Sequence, residues 1–187
     1  VSNGKAKKRI QFFNKLSNYK TVDSGGRFMN NIGGPVEDKM DFIKKYKFVI
    51  SFENSSYPGY VTEKIYQPMF VNTIPIYWGS PTIKSDFNTK SFLNYHDYSS
   101  DELLINKIIE LDQDDNKYKQ MLMEPWFNDN KVNPYLNVEN LNNFFEKIFS
   151  DTSIPVANTW RKYFGFALRK KNNIMKKIMR NFRNDFR

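Results

Sequence analysis

The chain has 187 residues, 40% hydrophobic and 17% aromatic, too apolar for a disordered segment and enough for one domain with a core or one lobe of a larger enzyme. Cysteine is absent and His96 is the single histidine, which excludes a disulfide framework or thiolate chemistry and argues against a multi-histidine metal centre. The net charge of +9 belongs to the tail, where residues 160–187 carry ten Lys/Arg against Asp185 alone while residues 1–159 carry 19 charges of each sign.

In chain order, residues 5–19 place Ile10, Phe13, Leu16 and Tyr19 at helical spacing, with lysines on the other face. A turn-rich segment follows, with the pairs Gly25-Gly26 and Gly33-Gly34 before Pro35; their spacing is too loose for a dinucleotide fingerprint. Residues 36–46 read as a short helix with Met40 and Ile43 inward, and FVISF (48–52) as a buried parallel strand. A polar turn leads into a helix over 62–71, which Pro68 should kink or end early. Strands are expected at 73–78 and 91–95, separated by a Gly79-Ser80-Pro81 turn, and helices at 101–111, 116–123 and 138–149. Strand, helix, strand with short connections is the βαβ pattern, so the fold class is α/β, a parallel sheet with helices on both faces. A composition break at 151–158 separates a domain over 1–150 from a linker and tail over 151–187. The chain opens on Val1 with no initiating methionine or secretory leader and is expected to continue upstream.

The densest cluster of candidate chemistry is FENSSYPGYVTEK, residues 52–64, running from the carboxyl end of a buried strand into the start of a helix. Open parallel sheets bind ligands at that edge. A helix N-terminus offers free N–H groups and partial positive charge to an anion such as phosphate. Thr62 suits the N-cap, Lys64 adds a full charge, Gly59 would allow close backbone approach, and Glu63 could accept hydrogen bonds from sugar hydroxyls. Together they suggest a nucleotide-sugar site; the plainer alternative is a polar loop whose Glu and Lys are solvated.

FEN, then seven residues, then TEK, followed by TIPIYWGSP and DFNTKSF, closely resembles the donor-binding region of the α1,3/1,4-fucosyltransferases, glycosyltransferase family 10, and VSN ending six positions before Arg9 resembles that family's first donor-lobe segment. The resemblance covers about residues 1–150 and fits the bacterial members. It implies an inverting transferase that moves L-fucose from GDP-fucose to an N-acetylglucosamine-containing glycan acceptor without a metal or other cofactor. It also implies a two-lobed GT-B fold with Rossmann-like lobes, of which this chain would be the carboxyl-terminal, nucleotide-holding one. Carried over by position, Val1, Ser2 and Asn3 would lie beside the nucleotide, and Arg9 and Lys64 would contact the diphosphate. Asn54, Tyr60 and Glu63 would hold the ribose, phosphate or fucose. Arg9 and Lys64 could then neutralise the leaving group, Arg being better suited to bidentate phosphate contact, while Glu63 could stabilise the oxocarbenium-like sugar. Without the family spacing, Arg9 reads as the solvated face of a Lys-rich helix. The general base that takes the acceptor proton is, in the family, a carboxylate of the amino-terminal lobe. Glu53 is expected to order the loop instead, so the chain alone should bind GDP-fucose or GDP and transfer poorly.

Three other features have plainer readings. Asp112-Gln113-Asp114 has the DxD form of metal-dependent transferases but lies between two predicted helices, where a capping turn is expected. His96 is expected to be structural, and Tyr77 and Trp78 to pack in the core. In the tail, Trp160, Phe164, Leu168, Met175, Met179, Phe182 and Phe186 recur among the basic residues at near-helical spacing. That is the signature of an interfacial amphipathic helix attracted to anionic lipid, and the broad apolar face favours lipid over nucleic acid. The bacterial resemblance implies the same docking, on the cytoplasmic side of an inner membrane. Two rival readings are a noncatalytic membrane- or nucleic-acid-binding module acting through the tail, and a transferase for another nucleotide sugar.

Overall fold

The two strand-like runs are apolar on both faces, which is satisfied only if both faces are covered, and the structure covers both. The computed structural model describes residues 6–131 and 137–153; Val1, Ser2, Asn3 and the basic tail at 160–187 lie outside the described residues. The chain divides into two compact units, Val1–Pro134 and Tyr135–Arg187.

In the first unit, α1 spans Lys7–Ser17, α2 Lys39–Ile43, β1 Phe48–Phe52, α3 Glu63–Phe70, β2 Ile74–Trp78, β3 Leu93–Asn94, α4 Asp101–Gln113 and α5 Asp115–Met123. The three strands form one parallel sheet in the order β1-β2-β3, with Phe48 opposite Ile74, Phe52 opposite Trp78 and Ile76 opposite Leu93. Phe52, Ile74, Ile76 and Leu93 meet Phe12 and Leu16 of α1 and Leu104, Ile108 and Leu111 of α4 in one apolar cluster. On the other face Tyr77 and Phe92 pack with Ile65 and Met69 of α3 and with Ile83 and Phe87. This is the α/β sheet with helices on both faces that the sequence predicts. The cores are aromatic-rich: Phe12 and Phe52 lie 5.0 Å apart between ring centroids, and Tyr95 meets both edge-on.

Several boundaries differ from expectation. The strand expected at 91–95 is only Leu93–Asn94, because Asn88 and Asn94 each turn the chain by accepting a bond from the amide two residues on, that of Lys90 or His96. The helix expected at 36–46 shortens to α2, capped by Asp38, whose side chain accepts from the Asp41 amide. Pro68 lies inside α3, which stops two residues later at Phe70. Asp114 of the DxD sequence caps α5 by accepting from the Asn116 and Lys117 amides, while Asp112 accepts from the Tyr19 hydroxyl and the Lys20 ammonium. Among the described residues no helix is long and apolar enough to cross a membrane. In the second unit, α6 (Val138–Ser150) is capped by Asn137 and presents Leu141, Phe144, Phe145 and Ile148 with substantial exposure.

Candidate functional site

All three strands point their carboxyl ends at the segment that the sequence singles out. β1 ends at Phe52, and the Glu53 amide extends the ladder by donating to the Trp78 carbonyl at 2.7 Å. The loop beyond is braced against the turn after β2. Ser56 Oγ donates to the Gly79 carbonyl at 2.7 Å and the Gly59 amide donates to Ser80 Oγ at 3.0 Å. Tyr77, fully buried, accepts from the Ser80 amide at 3.0 Å and donates to the Tyr60 carbonyl at 3.4 Å. His96 Nε2 lies 3.1 Å from the Gly79 carbonyl, a structural post on the same turn. Gly79 is required there by closeness: a Cβ would fall within 2.6 Å of Glu53 Cγ and closer still to the Tyr77 hydroxyl. Gly59 has the other reason for being glycine. Nothing lies within 4 Å of where its Cβ would be, but its φ of +76° is costly for any other residue, so the expected close approach gives way to a conformational role.

Glu53 is the centre of the arrangement. Its carboxylate is buried at 1% residue exposure, with Oε1 accepting from the Thr62 amide at 3.0 Å and the Thr62 hydroxyl at 2.7 Å. Oε2 accepts from Lys64 Nζ at 2.9 Å. Two expectations are corrected by this geometry. Thr62 does sit at the N-cap of α3, but its hydroxyl makes no cap bond: it donates to Glu53 and accepts from Lys64 Nζ instead of from a helix amide. Lys64 is not a free cation: it is also bonded to Thr62 Oγ1 at 2.9 Å and lies 3.4 Å from Glu63 Oε1.

Arg9 reaches the same sheet edge from α1. Its guanidinium donates to the Phe52 carbonyl and, at 3.3 Å, to Asn54 Oδ1. Desolvation draws its pKa below the ordinary arginine value, partly offset by the charge of Glu53. Arg9, Glu63 and Lys64 line one cavity of about 1030 Å³, together with Ser24, Gly25 and Lys39. Asn54 lines a second cavity of about 230 Å³ beside Arg9, Glu53 and Trp78, so Trp78 faces a cavity rather than lying wholly in the core. Tyr60 lines neither and stands 37% exposed just before α3. Glu63 opens α3: desolvation pushes its carboxyl up, but its own backbone amide and the Lys64 charge outweigh this and hold it below the ordinary value.

Lys39 is the cation that sequence reasoning missed. Desolvation lowers its pKa; Glu63 opposes that fall, and the positive charges of Lys64 and Arg9 add to it. Its ammonium donates to Gln67 Oε1 of α3. The available signal was Asp38-Lys39 after the glycine-rich turn, a capping residue followed by a cation at a helix start, as in TEK. The loop that carries it is tied by Asn30, whose side chain bonds the Gly26 and Gly34 carbonyls and the Gly34 amide.

A sheet edge where Arg9, Lys39 and Lys64 line one cavity together with Glu63 suits a phosphorylated sugar ligand. The family model for the glycosyltransferase family 10 (fucosyltransferase) carboxyl-terminal region matches residues 1–151. The chain belongs to glycosyltransferase family 10. The α-(1,3)-fucosyltransferase FucT of Helicobacter pylori is 40% identical over 158 residues, covering 82% of this chain and 33% of that protein. A putative fucosyltransferase of Acanthamoeba polyphaga mimivirus is 34% identical, covering 78% of this chain and 26% of the relative. Among solved structures, an α1,3-fucosyltransferase with GDP-fucose superposes with a TM-score of 0.76 at 39% identity, covering 82% of this chain and 47% of the other. This family 10 chain thus spans about a third or less of those curated relatives and about half of that structure.

Proposed function

We propose that this chain is the donor-binding lobe of an inverting α1,3-fucosyltransferase that takes L-fucose from GDP-fucose and passes it to an N-acetylglucosamine-containing glycan. The carrying observation is the convergence of Arg9, Lys39 and Lys64 on one cavity at the carboxyl edge of the parallel sheet. Breaking the fucose–phosphate bond leaves negative charge on GDP, and cations fixed at that place stabilise it in the transition state. Arg9 is held by two acceptors, so its guanidinium is oriented before the ligand arrives. Glu63, at the helix start between these cations, is placed to accept from fucose hydroxyls and to balance positive character on the sugar. The family resemblance assigns Asn54 and Tyr60 to the sugar side, and Val1, Ser2 and Asn3, outside the described residues, to the nucleotide. The proton acceptor for the incoming hydroxyl belongs to the part of the enzyme that this chain does not span. The relative solved with GDP-fucose supports the choice of donor. The basic, apolar-striped tail at 160–187 supports a peripheral position on the cytoplasmic face of an anionic membrane.

Titration calorimetry of the chain with GDP, UDP and CMP tests the donor assignment. GDP should bind, UDP and CMP should bind at least about tenfold more weakly, and Arg9→Ala should lose GDP binding by about tenfold or more while leaving the melting temperature near that of the parent. Equal affinity for the three nucleotides, or an Arg9→Ala chain that binds GDP unchanged, overturns the reading.

A further inference from the structure

We propose that Glu53 is a positioning residue, an internal counter-ion that holds Lys64 at the cavity so that the lysine meets an incoming diphosphate already in place. The inference rests on the donor-site reading and names the group that makes the site rigid.

The three residues of FEN organise both cations. The Phe52 carbonyl and the Asn54 side chain accept from Arg9, and the Glu53 carboxylate between them accepts from Lys64. A carboxylate with no exposed side-chain surface is expensive unless it is charge-paired and fully hydrogen-bonded, and here three donors on two residues satisfy it. Its place is fixed from behind by the sheet, through the Glu53 amide and the Trp78 carbonyl. Its other oxygen fastens Thr62, so one side chain ties the end of β1 to the start of α3. Lys64 keeps 23% of its side chain exposed and lines the large cavity, so an anion there finds an ammonium group whose rotamer freedom is already lost. Without the carboxylate, Lys64 would keep only Thr62 Oγ1 and the longer contact to Glu63, with the like charges of Lys39 and Arg9 nearby.

The test is a double-mutant cycle on the full chain, read by titration with inorganic pyrophosphate and with GDP. Glu53→Gln keeps an acceptor for Thr62 but turns an amide donor toward Lys64. It should weaken pyrophosphate binding about tenfold, in keeping with the loss of a charge-assisted bond. In a Lys64→Gln background the same change should alter affinity less than about twofold, because the positioned group is gone. A loss of equal size in both backgrounds would mean that Glu53 only supports the fold, and unchanged or tighter binding by Glu53→Gln would equally overturn the proposal. If Glu53→Gln does not fold, Thr62→Val removes one of the two oxygens bonded to Lys64 and should cost about threefold in the parent and nothing in Lys64→Gln. A parent chain that binds pyrophosphate but prefers GDP no more than UDP sinks the nucleotide assignment and leaves the Glu53 result standing. A parent that binds no pyrophosphate sinks both.

Discussion

Gly79→Ala is the sharpest perturbation of the site's scaffold, because the added methyl group meets two atoms that cannot move aside. The new Cβ would overlap Glu53 Cγ at 2.6 Å and the Tyr77 hydroxyl at shorter range. Tyr77 is fully buried and its hydroxyl is engaged by the Ser80 amide and the Tyr60 carbonyl, while Glu53, at 1% exposure, is held by three donors. Overpacking in a closed site costs roughly 1–3 kcal/mol, and with both neighbours fixed the upper end, about 3 kcal/mol, applies here. For a chain of this length that corresponds to a melting temperature lower by roughly 6–12 °C. Whatever relief the site finds must come from displacing Glu53, so Lys64 shifts with it and GDP affinity falls as well. Gly59→Ala is the internal control: it meets open space at φ +76°, so only backbone strain of about 1–2 kcal/mol is expected. Thermal melts and GDP titrations of both variants give the comparison. A Gly79→Ala chain melting within 2 °C of the parent by that scale, or one no worse than Gly59→Ala, refutes the close-approach argument.

Two further outcomes follow from the charge distribution. Asp101 at the start of α4 is desolvated, which pushes its carboxyl up, yet bonds from Lys15 and Tyr95 and the nearby Lys8 charge prevail and hold it below its ordinary value. A carboxyl with a depressed folded-state pKa contributes stability in full above its unfolded value of about 4 and loses it as pH falls through the folded value. Asp101→Asn should therefore lower the melting temperature at neutral pH and flatten its fall below about pH 4; acid limbs that run parallel in the two chains would contradict this. Deleting residues 160–187 should abolish co-sedimentation with phosphatidylglycerol vesicles at low salt and leave GDP affinity within about twofold, since each basic residue near such a surface adds about 1 kcal/mol of attraction. Undiminished vesicle binding by the truncated chain would move the membrane contact elsewhere.

Much of this protein was legible in its residues taken one after another. FVISF and IPIYW are continuous apolar runs, as strands covered on both faces must be, and α1 and α4 follow from 3.6-residue spacing because the apolar stripe is local in sequence. The motif FEN with TEK marked the candidate site for the same reason, since a strand end and a helix start are short, contiguous signals, whereas Arg9, inside α1, was marked only by the family resemblance. What the sequence could not show is how side chains far apart compete for one another. Thr62 carries the signature of a cap, but its hydroxyl oxygen accepts from Lys64 Nζ rather than from a helix-end amide, while its proton goes to the buried carboxylate of Glu53. Lys64 looks like a free cation until the fold brings Glu53, eleven positions earlier, to 2.9 Å. Lys39 joins Arg9 and Lys64 only because α2 packs near α3, and Gly79 is irreplaceable only because Glu53 and Tyr77 close over it. Local periodicity decides which elements form; desolvation and close packing, which depend on the whole fold, decide which charges are paired and where a backbone has no room for a side chain.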